Sequence, residues 1–158
     1  MRHDGAAHFY GLTAALGAIA GSRSTTAPAA MSAVLAHDNG ERDSIVALAV
    51  RLRPVFYTLV FLEMVADKLP FTPARTTPPA LLGRVALGTA SAVLAARAYD
   101  RSPLLASLLA ASAALGATFV WFHLRRLLME ELGMDSLASG LVEDAAVATA
   151  AAALVRQA

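Results

Sequence analysis

Two short polar segments place arginine and hydroxyl side chains directly before a predicted helix start. They comprise Arg23, Ser24, Thr25 and Thr26, and Arg75, Thr76 and Thr77. Pro28 and Pro79 follow them, and proline suits the first turn of a helix. Because the free N–H groups and positive dipole end of a helix attract anions, each segment predicts a place for a carboxylate, a phosphate or another small anion.

Four acidic side chains and two further cations lie in stretches that the fold can bring to these segments. They are Glu63, Asp67, Lys68, Arg84, Glu143 and Asp144. Carboxylates at such a site would neutralise the arginines or relay protons. The alternative is structural, because every helix start needs capping groups and buried ions form fixed pairs whatever the protein does. Both interpretations are open at the level of sequence.

The composition predicts that lipid surrounds the elements that carry these residues. The 158 residues are 57% hydrophobic and 16% charged, and the mean hydropathy is +0.56. Soluble domains carry about 25% charged residues. A chain of this length cannot bury so many apolar side chains, so much of its outer surface must face lipid. We therefore predict an integral membrane protein that forms a single transmembrane domain over residues 1–158.

Several function classes are not expected from this composition. A net charge of +1 provides no basic field for nucleic acid. The absence of cysteine removes disulfides and thiolate chemistry, and the four histidines match no metal-ligand spacing. We expect no nucleic-acid partner, no metal and no cofactor. No nucleophile–base constellation is visible, so we do not expect an enzyme.

Five stretches predict an all-α, multi-pass transmembrane bundle. The clearest is residues 103–122, twenty residues without a charge, which as a helix would span about 30 Å, the thickness of a bilayer core. Residues 79–99, 136–155 and 45–66 have similar length, and Pro54 predicts a kink in the last of these.

The first apolar region predicts a broken span. Residues 6–21 and 27–37 are each too short to cross comfortably, and the sequence SRSTT separates them. A cleavable signal peptide is the alternative, but Asp4 and His8 argue against it.

Charges within these spans must turn inward or reach the membrane surface. Glu143 and Asp144 fall on one helical stripe, which predicts that both face protein. Arg84 lies one to two turns inside its span, so it either extends to the interface or faces inward as a functional charge. Glu63 and Asp67 leave the same choice, because they end a helix before Pro70.

The two polar segments have a short stretch of similar sequence. Residues 24–30 read STTAPAA and residues 75–81 read RTTPPAL, with four of seven positions identical. This indicates either a repeated unit with a discontinuous helix, as in many transporters, or coincidence in an alanine-rich chain. The sequence leaves open whether the copies are parallel or inverted.

Three motifs occur in order along nearly the whole chain: GSRSTTAP at 21–28, EMVADKLP at 63–70 and LVEDAAVA at 141–148. With them the sequence resembles the bacterial integral-membrane family catalogued as domain of unknown function 4126. EMVADKLP is the most specific of the three. The resemblance implies a small multi-helix protein of the bacterial cytoplasmic (inner) membrane, and it adds no substrate.

Two functions are compatible with these features. The first is a small transporter or channel-like protein for a small solute, of which a small anion is one candidate, with the polar breaks along the path. The alternative is a membrane scaffold or accessory subunit, in which Gly17, Gly21 and the alanine-rich faces bind partner helices. The lipid bilayer is the expected partner in both. A chain with few spans needs copies to enclose a pathway, so a homo-oligomer is also expected.

Overall fold

The computed structural model describes residues 2–37, 43–67 and 77–157, and every regular element within these ranges is an α-helix. The all-α prediction is therefore confirmed for this part of the chain. The helices are α1 (Arg2–Ser22), α2 (Thr26–His37), α3 (Ser44–Arg51), α4 (Arg53–Ala66), α5 (Pro78–Ala98), α6 (Pro103–Glu130) and α7 (Ser136–Gln157).

Three of these helices, α5, α6 and α7, are long and apolar enough to cross a membrane. A fourth crossing results if α3 and α4 form one span, bent by 53° between Arg51 and Arg53. Pro54 lies in the first turn of α4, where a proline produces the predicted kink. The structure thus fits a membrane protein, whereas five spans remain a prediction. The repeat also remains a prediction, because residues 75 and 76 lie outside the described ranges.

Small residues let α1 pack against the backbones of α5 and α6. A Cβ atom added at Gly17 would lie 2.3 Å from the carbonyl oxygen of Ala110, and one at Gly21 would lie 2.3 Å from that of Ala114. Gly88 of α5 approaches the same face of α1. Close backbone approach is how helices associate in lipid, where no hydrophobic drive brings them together. The glycine pair of α1 is therefore used within the chain.

Side-chain contacts fix the directions of the long helices. Gly17 lies against Ala110 and Gly21 lies against Ala114, so α1 and α6 run in the same direction. Arg84 contacts Gly21 and Tyr99 contacts Phe9, so α5 runs antiparallel to α1. Arg125 of α6 bonds to the first residue of α7, which therefore runs back along α6. The first and last helices consequently have their outer ends on the same side of the bundle.

α2 turns back at residues 23–25 and does not extend the crossing of α1. Asp43 pairs with Arg97 at 2.8 Å, and Arg97 lies about 20 Å along α5 from Arg84. α2 begins near Arg84 and is about 18 Å long. If it pointed away from Arg97, its last residue, His37, would lie further from Asp43 than the six residue steps between them can reach, which is at most about 22 Å. The break predicted after Gly21 is present, and it reverses the chain.

The returning helix α2 forms the centre of the fold. All of its residues from Ala27 to Leu35 are buried, and they pack with α1, α3, α4, α5 and α7. By contrast, α4 has no buried residue. Large apolar side chains cover the outside of the bundle, where Leu104 is 71% and Leu82 is 69% exposed. A surface of this kind matches acyl chains and not water.

Candidate functional site

The reversal between α1 and α2 carries a group of polar side chains that we call the turn cluster. It comprises Ser22, Arg23, Ser24, Thr25, Glu63, Asp67, Glu143 and Asp144. The end of α4 supplies two of the carboxylates and the middle of α7 supplies the other two. Residues far apart in the sequence therefore meet at one turn, as predicted for Arg23 and the four acids.

Arg23 lies at the centre of the turn cluster. Its side chain is 3% exposed. Its Nη1 donates to Asp67 Oδ2 at 2.6 Å, and its Nη2 pairs with Asp144 Oδ1. A buried guanidinium is stable only when charge-assisted bonds offset its lost hydration. Arg23 thereby connects α4 and α7 to the turn.

Glu63 occupies the start of α2. Its Oε1 accepts the backbone N–H of Ser24 at 2.8 Å, and its Oε2 accepts the N–H of Thr25 at 2.9 Å and the hydroxyl of Thr25 at 2.5 Å. The donors that the sequence assigns to an external anion are thus bound to a carboxylate of the chain itself. This geometry favours the capping interpretation for these three donors in the described state.

Glu143 and Asp144 both face the interior, which confirms the prediction from helical periodicity. Glu143 is 1% exposed, and its Oε1 accepts the hydroxyl of Ser22 at 2.7 Å. Leu141 and Ala145, on the other side of α7, are exposed. The acids therefore avoid the acyl chains, as intramembrane carboxylates must.

The end of α1 is satisfied by donors from α5 and α6. Arg84 Nη1 and the hydroxyl of Thr118 both donate to the carbonyl oxygen of Gly21, at 2.6 and 2.9 Å. In an uninterrupted helix this carbonyl would accept the N–H of Thr25, which instead bonds to Glu63. The interpretation of Arg84 as a side chain that extends to the interface is wrong, because its side chain is buried.

Other predicted site residues do not join the described cluster. Thr26 begins α2, and its N–H donates to the carbonyl oxygen of Arg23 at 3.2 Å. Thr77 precedes α5 as its N-cap residue, without a side-chain capping bond. Lys68, Arg75 and Thr76 lie outside the described residues, so the anion site expected at the second polar segment stays a prediction. Sequence reasoning did not select Ser22, although it lies in the SRSTT break, or Thr118, an isolated hydroxyl in an apolar helix that carries no distinguishing signal.

Comparison with protein-family models, with curated proteins and with solved structures finds no match to the chain. The resemblance to the family of domain of unknown function 4126 thus stays a prediction.

The chemistry open to the turn cluster is that of four carboxylates beside one buried cation, Arg23. Within the described ranges, no group of three or more acids and histidines is arranged to hold a metal ion. Carboxylates can instead exchange protons, or give up their donors to another anion. The cluster can therefore change its charge by proton exchange, or change its partners where another anion replaces a carboxylate.

Proposed function

We propose that this chain is a small transporter or channel-like protein of a bacterial cytoplasmic membrane, with the turn cluster on the path of a small solute. The observation that supports it is the position of Arg23, paired with carboxylates of two other helical segments at a reversal of the chain. Ionisable groups inside membranes mark solute or proton pathways, and transporters place such sites where helices are interrupted. Membership of the family of domain of unknown function 4126 is part of this proposal.

The depth of the cluster supports a pathway more than a surface role. Thr118, level with Gly21, lies about 6 Å before Phe122 and about 22 Å after Pro103 along α6. The charges are thus inside the apolar layer, nearer to one face. A solute arriving from the nearer face would meet Arg23 early, and release on the other side would require rearrangement of α2 or α4.

The directions of the helices lead us to propose six passes, one more than the five that the sequence predicts. The additional pass is α2, which is enclosed by protein and needs no lipid-facing apolar surface. This explains how a helix of 12 residues can be accommodated. Both termini then lie on the same side of the membrane.

Flux through reconstituted protein tests the transport proposal. Purified protein in liposomes should pass a solute from a panel of small anions and protons, and Arg23→Ala or Glu143→Gln should abolish that flux. Arg97→Ala is the matched control, because Arg97 is exposed and lies far from the cluster. A panel without signal, or a flux that both cluster variants retain, would contradict the proposal.

A scaffold or accessory subunit is the second candidate. It is supported by the pairing of Arg23 and Glu63 with groups of the same chain, which is what charges that only fix helix register would show. Cross-linking in membranes followed by mass spectrometry should then recover one stoichiometric partner protein. Recovery of the chain alone, as a defined homo-oligomer, would favour transport.

A further inference from the structure

We infer that the turn cluster contains a binding site for small carboxylate anions, and that Glu63 occupies it as the chain's own ligand. That such an anion is the transported solute rests on the proposed function. Binding of a carboxylate anion at this site does not depend on the proposed function.

The donors around Glu63 would recognise any carboxylate. Two N–H groups and one hydroxyl, from Ser24 and Thr25, bind both oxygens of the group at 2.5 to 2.9 Å. A free carboxylate presents the same two oxygens, and the start of α2 adds a favourable dipole. Recognition therefore does not require the covalent connection of the carboxylate to α4.

Arg23 provides an independent indication of a ligand. Its Nε is buried and has no hydrogen-bond partner among the described residues. Its Nη1 reaches the backbone carbonyl oxygen of Glu63 at 3.5 Å, so the guanidinium lies against the last turn of α4, which carries the Glu63 side chain. A buried N–H group without an acceptor is unfavourable, and an anion that entered beside it would supply one.

The helix that carries Glu63 is the one best able to withdraw. α4 has no buried residue, whereas α5, α6 and α7 each bury at least four. Displacement of α4 therefore removes less apolar packing than displacement of any of those helices. Ser24, Thr25 and Glu63 are also partly exposed, so protein does not fully enclose the site in the described state.

Chemical rescue tests this inference. Glu63→Ala leaves the three donors in place without their carboxylate, and acetate supplies the missing group on a single methyl. In phosphatidylcholine nanodiscs, the Tm of Glu63→Ala should fall below that of the native protein. About 50 mM sodium acetate, suited to millimolar affinity, should recover at least about half of the loss. Sodium chloride at equal ionic strength should recover none.

The control variant is Glu130→Ala, which removes an exposed carboxylate paired with Arg126. Acetate should not raise its Tm, nor that of the native protein, above the chloride value. Equal effects of acetate and chloride on Glu63→Ala would overturn the inference.

Glu63→Gln covers the case in which the alanine variant does not fold. A neutral amide competes for the donors more weakly than a carboxylate, so acetate should bind this variant with a Kd at least about ten-fold below that of the native protein. Equal Kd values would overturn the inference.

Discs that contain phosphatidylglycerol distinguish a free anion from a lipid headgroup. Persistence of the acetate effect supports a free carboxylate as the ligand, and its loss there contradicts that assignment. Rescue by acetate without liposome flux would retain the site and reject transport. Liposome flux without rescue by acetate would support transport and reject the carboxylate site.

Discussion

Arg84 donates from its Nη1 to the carbonyl oxygen of Gly21 at 2.6 Å, across the interface between α5 and the end of α1. On the other side of the turn, the carboxylate of Glu63 accepts from the first N–H groups of α2. A cation thus lies at the negative end of one helix and an anion at the positive end of the next. These two contacts explain how a reversal of the chain is stable inside an apolar bundle.

Loss of the Arg84 side chain should destabilise the fold more than loss of an arginine elsewhere on α5. Arg84→Ala removes a buried donor to the Gly21 carbonyl, so we expect the free energy of unfolding to fall by about 1–3 kcal/mol. Arg97→Ala, the control on the same helix, removes an exposed pair and should lower the free energy of unfolding clearly less than Arg84→Ala does. Unfolding by denaturant in mixed micelles, followed by circular dichroism, measures both. Equal losses would show that the buried contact contributes nothing specific.

The tight crossing of α1 and α6 predicts a difference between two glycines of α1. Gly17→Ala would place a methyl group 2.3 Å from the carbonyl oxygen of Ala110, so the helices must separate. We expect a loss of about 1–3 kcal/mol or failure to accumulate. Gly11→Ala meets nothing within 4 Å and should be neutral or stabilising by up to about 1 kcal/mol. A Gly17→Ala protein as stable as Gly11→Ala would contradict the described crossing.

Local patterns in the sequence predict only what depends on neighbouring residues. The inward stripe of Glu143 and Asp144 follows from the 3.6-residue period, and the interruption before Pro28 follows from capping and proline signals. The same capping signals occur where a helix restarts in line and where the chain reverses. The return of α2 was therefore not predictable from them.

Contacts between distant residues were outside the reach of sequence patterns. The hydrogen bond from Thr25 to Glu63 joins residues 38 positions apart, and no local period indicates it. The position of Arg84 within its span fixes its depth, but its direction depends on where α1 packs. An inward Arg84 could be recognised only once Gly21 was known to lie beside it.

The helix directions predict that both ends of the chain lie on the same side of the membrane. The chain contains no cysteine, so each introduced cysteine is unique. Gly5→Cys and Arg156→Cys should react with a membrane-impermeant maleimide from one side, and Glu131→Cys, between α6 and α7, from the other. Labelling of positions 5 and 156 from opposite sides would restore the five-span topology.

Asp43 and Arg97 predict a pH dependence outside the spanning segments. The hydrogen bond from Arg97 holds the pKa of the Asp43 carboxyl below its ordinary value. A lowered pKa means that the pair stabilises the fold above the ordinary aspartate pKa, and that this contribution is lost as the pH falls through the lowered value. Carboxyl NMR titration should show the Asp43 pKa rising in Arg97→Gln. An unchanged pKa would contradict the pairing.

Labelling from the lipid phase tests most directly whether a bilayer surrounds the bundle and the turn cluster lies inside it. A carbene precursor dissolved in the acyl chains of vesicles modifies side chains that face lipid, and mass spectrometry locates the modified residues. We expect label on outward side chains of α6 such as Leu104 and Val120, and none on Arg23 or Glu143. A chain that stays in the detergent-free supernatant, or a turn cluster labelled as strongly as Leu104, would contradict this arrangement.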